Sequence, residues 1–219
     1  MRDVAQAASS QTRSASRGRI DKREAILEAA FTVFSRQGYA QACVQEIAAE
    51  AGVAKPTVYN HMHDKETLFR HAMRTAAERA TAGSLAAVER LLPGDDDLRA
   101  MLEDVGYHLL RCHSDERSSA LRRLLYAEVT RFPDLFDVVL GGGAGRTTEL
   151  LADRFARLSL AGRLRVTDPV EAADQFVALL TGPMETRTRL GTRPVPDEEL
   201  RAVATSAVTT FLHAFGPKD

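Results

Sequence analysis

The side chains with the most legible chemistry lie between Lys55 and Lys65. An ammonium such as that of Lys55 can reach guanine O6 and N7 or a phosphate. The Asn60 amide matches an adenine edge and the Thr57 methyl a thymine methyl, each worth about 1–3 kcal/mol of discrimination when the geometry is good. Tyr59, His61 and Lys65 suit phosphate oxygens, contacts that fix register without reading sequence. Tyr59 has a second reading, its ring packed against the first helix of the domain. Gln45 and Pro56 complete the candidate set.

Such side chains need a rigid mount, and the stretch QEIAAEAGVAKPTVYNHMHDKE, 45–66, is patterned as one. Ile47, Ala48 and Ala51 give a short helix a small apolar face, Gly52 with Val53 makes a tight turn, and Val58 with Met62 gives a second helix its buried side. Small residues let two helices cross closely, and Gly52 can take the positive φ that ends a helix. Pro56 falls in the first helical turn, where a missing N–H does no harm. Upstream, Ile26, Leu27, Ala30, Phe31 and Phe34 recur at helical spacing, with Asp21 as expected N-cap and Gly38 as stop. The first 19 residues, rich in Ala, Ser, Gln and Arg, read as a disordered basic tail; Arg13, Arg17 and Arg19 there can form an arm on phosphates or the minor groove.

Composition sets bounds on the rest. The 219 residues suit two domains, and no run of about 18 uncharged apolar residues marks a membrane span. Met1 to Ser16 lacks the apolar core of a signal peptide, so a cytoplasmic protein is expected. Cys43 and Cys112 are too few for a disulfide framework. The formal net charge of −1 hides an asymmetry, since residues 1–74 hold 11 Lys and Arg against 8 Asp and Glu while the remainder holds 18 against 22. A positive reading end on an acidic body orients a protein on a polyanion.

This pattern resembles the DNA-binding domain of the TetR/AcrR family of bacterial transcriptional regulators. The resemblance rests on IleLeuGluAlaAla at 26–30, Phe34, Gly38-Tyr39, Ile47-Ala48, Ala51-Gly52-Val53, Thr57-Val58-Tyr59 and Lys65-Glu66, a run of about 45 residues. It implies an all-α homodimer in which a three-helix reading head at 20–66 precedes a larger helical ligand-binding and dimerisation domain at 67–219. It implies double-stranded DNA with a palindromic operator as partner, and release by a small molecule. The chain departs from the family at Cys43 and Ala54, where the family favours hydroxyls that cap helices, so both reading-head helices are expected to start poorly capped. The segment LRRLLYAEVTRFPDL, 121–135, is similar to the C-terminal domain of AefR-like members.

Asp64 is a good N-cap for a long helix from Lys65 to about Leu92, stopped by Pro93-Gly94. Further helices are expected at about 95–113, 116–132, 133–160, 168–190 and 197–215, with Gly141 to Gly145 breaking or bending one of them. A phosphate-cradling loop there lacks the lysine and hydroxyl of a P-loop and follows no strand. Within this domain Met101, Tyr107, His108, Tyr126, Phe132, Phe176 and Met184 are candidate walls of the pocket implied by the resemblance, most of them ordinary core. A mostly apolar effector is expected, because few charges interrupt these faces. Leu179, Leu180, Val203, Val208, Phe211 and Leu212 offer apolar faces for a dimer, or close the monomer's own core. His61 with His63, and His108 with Cys112 and His113, have metal-ligand spacing without a convincing further ligand, so no metal or other cofactor is called for. No nucleophile and base constellation supports an enzyme, and a helical interaction protein would not need a solvent-facing lysine, threonine and asparagine set.

Overall fold

The computed structural model describes residues 3–91 and 97–217, with side chains from residue 20 onward and not at 143–144. All described elements are helical, and two compact units divide the chain at Thr75.

The first unit is built on α1 (Asp3–Gln41), α2 (Val44–Glu50), α3 (Lys55–His61) and the opening turns of α4 (Lys65–Glu89). The helix of α1 is interrupted at Gly38, whose φ of 75° ends the regular turn as expected of a glycine stop. It begins upstream of the expected Asp21 cap: Asp21 lies inside the helix, and the backbone is helical back to Asp3, through residues read as a tail. Alanine and arginine favour helix even without an apolar face. The arm expected of Arg13, Arg17 and Arg19 concerns side chains outside the described ones.

Ile26, Leu27, Ala30, Phe31 and Phe34 are all buried, and Phe34, Tyr39 and Phe69 form an aromatic cluster with centroids 4.9–6.0 Å apart. Ile47, Val58 and Met62 close this core, whereas Ala51 is only half-buried. The turn after α2 is a Schellman closure: Val53 N–H donates to Ala48 O at 2.9 Å and Gly52 N–H to Ala49 O at 3.1 Å, with Gly52 at φ 65°.

The second unit comprises the rest of α4, then α5 (Leu98–Ser114), α6 (Glu116–Glu128), the single turn α7 (Asp134–Phe136), a π-helical stretch Asp137–Ala144, α8 (Gly145–Leu160), α9 (Pro169–Thr181), the short α10 (Met184–Arg187) and α11 (Asp197–Phe215). Asp97, Asp115 and Asp168 cap α5, α6 and α9 through side-chain oxygens. The glycine run 141–143 lies in the π-helical stretch that parts α7 from α8, interrupting the α-helix as expected without leaving a loop. It widens the turn, which glycine tolerates because it brings no side chain into the wall. The long helix expected over 133–160 is divided by this stretch, and the one expected over 168–190 ends at Thr181.

α5 packs on α11, α8 on α9 and α9 on α11 around a core centred on Phe155, Phe176 and Phe211, each fully buried with centroids 5.0–5.6 Å apart. Leu180, Val203, Val208 and Phe211 belong to that core, with Leu179 and Leu212 packed against it. Leu180, Val203, Val208 and Phe211 thus close the monomer's own core, the second of the two readings the sequence offered, while Leu179 and Leu212 stay partly exposed.

Candidate nucleic-acid interface and C-terminal cavity

On α3, Val58 is 1% exposed and Met62, just beyond its end, 2%, which fixes the opposite face toward solvent. Lys55, Pro56, Tyr59 and Asn60 are exposed there, and Thr57 and His61 are half-buried. Tyr59, at 41% exposure, stands off the unit's core, so its ring is free to meet a partner. Gln45 on α2 is exposed too. Lys65 departs from this set. Its Nζ donates to Ala40 O at 3.1 Å and lies 4.7 Å above the Tyr39 ring, so it ties the first turn of α4 to the turn after Gly38.

The caps are as weak as the sequence suggested. Neither Cys43 nor Ala54 accepts a side-chain cap hydrogen bond. Glu46, three residues beyond Cys43, turns instead to α1, accepting from Arg36 at 2.6 Å and Gln37 at 2.7 Å, and these hydrogen bonds, Gln37 first, hold its carboxyl below the usual range. Asp64 does cap α4, accepting from Thr67 N–H at 2.6 Å.

The second unit holds a cavity of about 430 Å³ that is open to solvent on one side, within the range of small-molecule sites. α4 contributes Ala77, Ala80, Thr81 and Ser84 to its wall; α5 contributes Leu109, Cys112 and His113; α6 contributes Leu121, Arg122 and Tyr126. Val139 and Leu140 from the π-helical stretch, Thr147 from α8 and Val177 and Leu180 from α9 complete most of it, with Glu185 on α10. Gly83 of α4 lies so close to α5 that a Cβ there would stand 3.0 Å from Cys112 Sγ.

Of the expected wall residues, only Tyr126 lines this cavity. Phe176 and Met184 are fully buried in the core, and Tyr107 is buried with Arg201 3.8 Å above its ring. His108 bonds Arg90 at 2.9 Å and Asp104 O at 2.8 Å. Met101 borders a separate depression with Arg90 and Asp97, and Phe132 is buried beside Arg131. These six were chosen for size and aromaticity, which favour the core equally. The walls also carry more charge than expected, in Arg122 and Glu185. The missed signal was spacing: Ser118, Leu121, Arg122 and Tyr126 recur along one face of α6 and set an arginine on an otherwise apolar, inward face.

Burial raises the Cys112 thiol, assisted by Asp115, and lowers His113 to about 3, assisted by the Arg122 charge. His113 is thus neutral at physiological pH. Burial, then Glu185, raises the Tyr126 hydroxyl, which donates to Glu185 Oε1 at 3.3 Å. Among the described residues no group of three or more His, Cys, Asp and Glu side chains is arranged to hold a metal ion, and no helix is long and apolar enough to cross a membrane.

A solvent-facing, donor-rich helix on a compact helix-turn-helix, followed by a larger helical unit, is the arrangement of a DNA-binding transcriptional regulator. Residues 26–72 match the bacterial regulatory proteins of the tetR family, and residues 100–217 match the AefR-like transcriptional repressor C-terminal domain. The chain belongs to the tetR family. The HTH-type transcriptional activator FasR of Mycolicibacterium smegmatis is 33% identical over 85 residues, 39% of each chain, so the match spans about two-fifths of that relative. A putative tetR-family regulator from Mesorhizobium loti has a similar structure, with a TM-score of 0.84 and 29% identity over 90% of this chain and 98% of that one. The flavonoid-responsive regulator FrrA is also similar, at TM-score 0.68 and 27% identity over 90% of this chain and 98% of its own.

Proposed function

We propose that the protein is a cytoplasmic, homodimeric repressor that leaves a palindromic operator when a small molecule fills the cavity of its second unit. The observation that carries this reading is the double duty of α4. The helix opens with Lys65, tied to Ala40 and Tyr39 in the reading head, and about three to five turns later supplies Ala77, Ala80, Thr81 and Ser84 to the cavity wall. A ligand pressing on those four residues acts on a helix whose first turn is anchored to the DNA-reading unit. Occupancy then favours a conformer whose two recognition helices no longer fit successive major grooves, a population shift that needs several kcal/mol of differential affinity.

The sign of regulation draws support from the AefR-like repressor description of residues 100–217, and small-molecule control from the name of FrrA. FasR, an activator by name, supplies the alternative. Dimerisation follows from reach: α3, with 7 residues, spans only about 10 Å and reads one half-site. On this reading Lys55, Thr57 and Asn60 meet base edges, and Gln45, Pro56, Tyr59 and His61 lie along the phosphates. Lys65 holds the reading head together instead of contacting DNA directly.

Fluorescence anisotropy with duplex DNA from the chain's own upstream region, across a salt series, tests the reading head. Tight binding with a steep salt slope, lost in Lys55→Ala, is expected. Affinity no better than for random duplex, even after selection from a randomised-site pool, refutes sequence-specific binding. A monomer mass by light scattering at low micromolar concentration would sink the dimer.

A further inference from the structure

Two arginines adjoin on α6 and have opposite fates. The Arg123 guanidinium is spent on Gly191 O in the turn after α10. Arg122 points to the cavity, where its Nη2 donates to His113 O at 2.7 Å and to Ser119 Oγ at 3.4 Å, both neutral acceptors. No carboxylate among the described residues stands within ion-pair distance of it. The two nearest in charge are engaged elsewhere. Asp115 caps α6, accepting from Ser118 N–H at 2.8 Å and Ser118 Oγ at 2.7 Å, and Glu185 accepts from Tyr126 at the exposed rim. The neighbouring His113 ring, held neutral by burial, has no hydrogen-bond partner among the described residues. Asp115 and Glu185 act on the Arg122 charge only from beyond ion-pair distance, so this half-buried cation lacks a direct partner, a costly arrangement unless something pairs with it, and a guanidinium matches a carboxylate in two parallel hydrogen bonds. Leu109, Leu121, Val139, Leu140, Val177 and Leu180 give the wall its apolar part, beside serine and threonine hydroxyls and Glu185.

We infer that the cavity binds a largely apolar organic acid, its carboxylate paired with Arg122 and its hydrocarbon or aromatic body against the leucine and valine wall. The inference rests on the effector reading above and deepens it by fixing the charge of the ligand. His113 serves as a neutral hydrogen-bonding neighbour to that carboxylate.

A matched trio tests this in the full-length protein: 1-naphthylacetate, 2-(1-naphthyl)ethanol and 2-(1-naphthyl)ethylamine. The chain has no tryptophan, so naphthyl fluorescence reports binding directly. The carboxylate is expected to bind at least about tenfold more tightly than the alcohol or the amine. Arg122→Gln should abolish that preference, and Arg122→Lys should keep part of it, with the melting temperature of each free variant showing that it is folded. Equal affinity for acid and alcohol, preference for the amine, an undiminished preference in Arg122→Gln, or no binding of the acid at millimolar concentration each overturn the inference. Anisotropy of the operator complex separates the two claims. Arg122-dependent binding of the acid that leaves operator affinity unchanged upholds the anion site and refutes release. Release of DNA by the alcohol at equal potency does the reverse.

Discussion

Installing the hydroxyls that the reading head lacks should stabilise it, by unequal amounts that the geometry sets. Cys43 and Ala54 both hold the extended backbone that an N-cap requires, with φ −118°, ψ 139° and φ −73°, ψ 144°. Both are exposed, so a serine at either position removes no buried contact. At Cys43→Ser the new oxygen can accept from Gln45 N–H, while Glu46 N–H already donates to Cys43 O at 3.1 Å, and a gain of about 1 kcal/mol is expected. At Ala54→Ser one of the two amides is missing, because Pro56 occupies the second helical position, and the other, Thr57 N–H, already donates to Ala54 O at 2.8 Å. The gain there falls near the lower limit, about 0.5 kcal/mol. Differential scanning calorimetry reads both. If the unit ending at Thr75 melts by itself, about 1 kcal/mol raises its midpoint by roughly 4–8 °C; if the whole chain melts together, the shift is about 2–4 °C. A larger gain from Ala54→Ser than from Cys43→Ser, or none from either, would refute this account of the caps.

The two lysines of the candidate interface should separate cleanly. Lys55→Ala lowers DNA affinity and reduces the salt slope by about one without moving the melting point, whereas Lys65→Ala lowers the melting point because it cuts the tie to Ala40 and Tyr39. Phe155→Ala should cost about 3–5 kcal/mol in chemical denaturation, since it opens a cavity in the centre of the second unit's core. His113 has a folded pKa depressed to about 3, so the unfolded chain takes up a proton first as acid is added. Stability is therefore full above about pH 6.5 and falls by about 1.4 kcal/mol per unit between there and pH 3. Denaturation midpoints of His113→Gln, compared with the parent across that window, should show a correspondingly flatter decline.

The reading head was legible in the sequence because its constraints are local. A stop at Gly38, a turn at Gly52 and buried partners at Val58 and Met62 can each be read from a few neighbouring residues. Side-chain partners were not legible: nothing in the spacing of Lys65 shows that its ammonium meets Ala40 O. The cavity was hidden for a related reason. It is bounded by single faces of six helices and a π-helical stretch, and whether Phe176 fills a core or lines a void depends on how α8, α9 and α11 close on one another. Arg122 could have been found by asking which charged residue sits on the apolar side of its helix. Searching for large aromatic residues found the core instead.

The close approach of Gly83 to Cys112 has a further consequence for how such a sensor can change its preferences. A methyl group at position 83 would force the Cys112 thiol, part of the cavity wall, aside by a few tenths of an ångström. The size of acceptable molecule can thus be trimmed from behind the wall, by one substitution that touches neither the ligand nor the DNA. Mutational drift, or a designer seeking a narrower biosensor, can retune selectivity there while the rest of the apparatus stays intact.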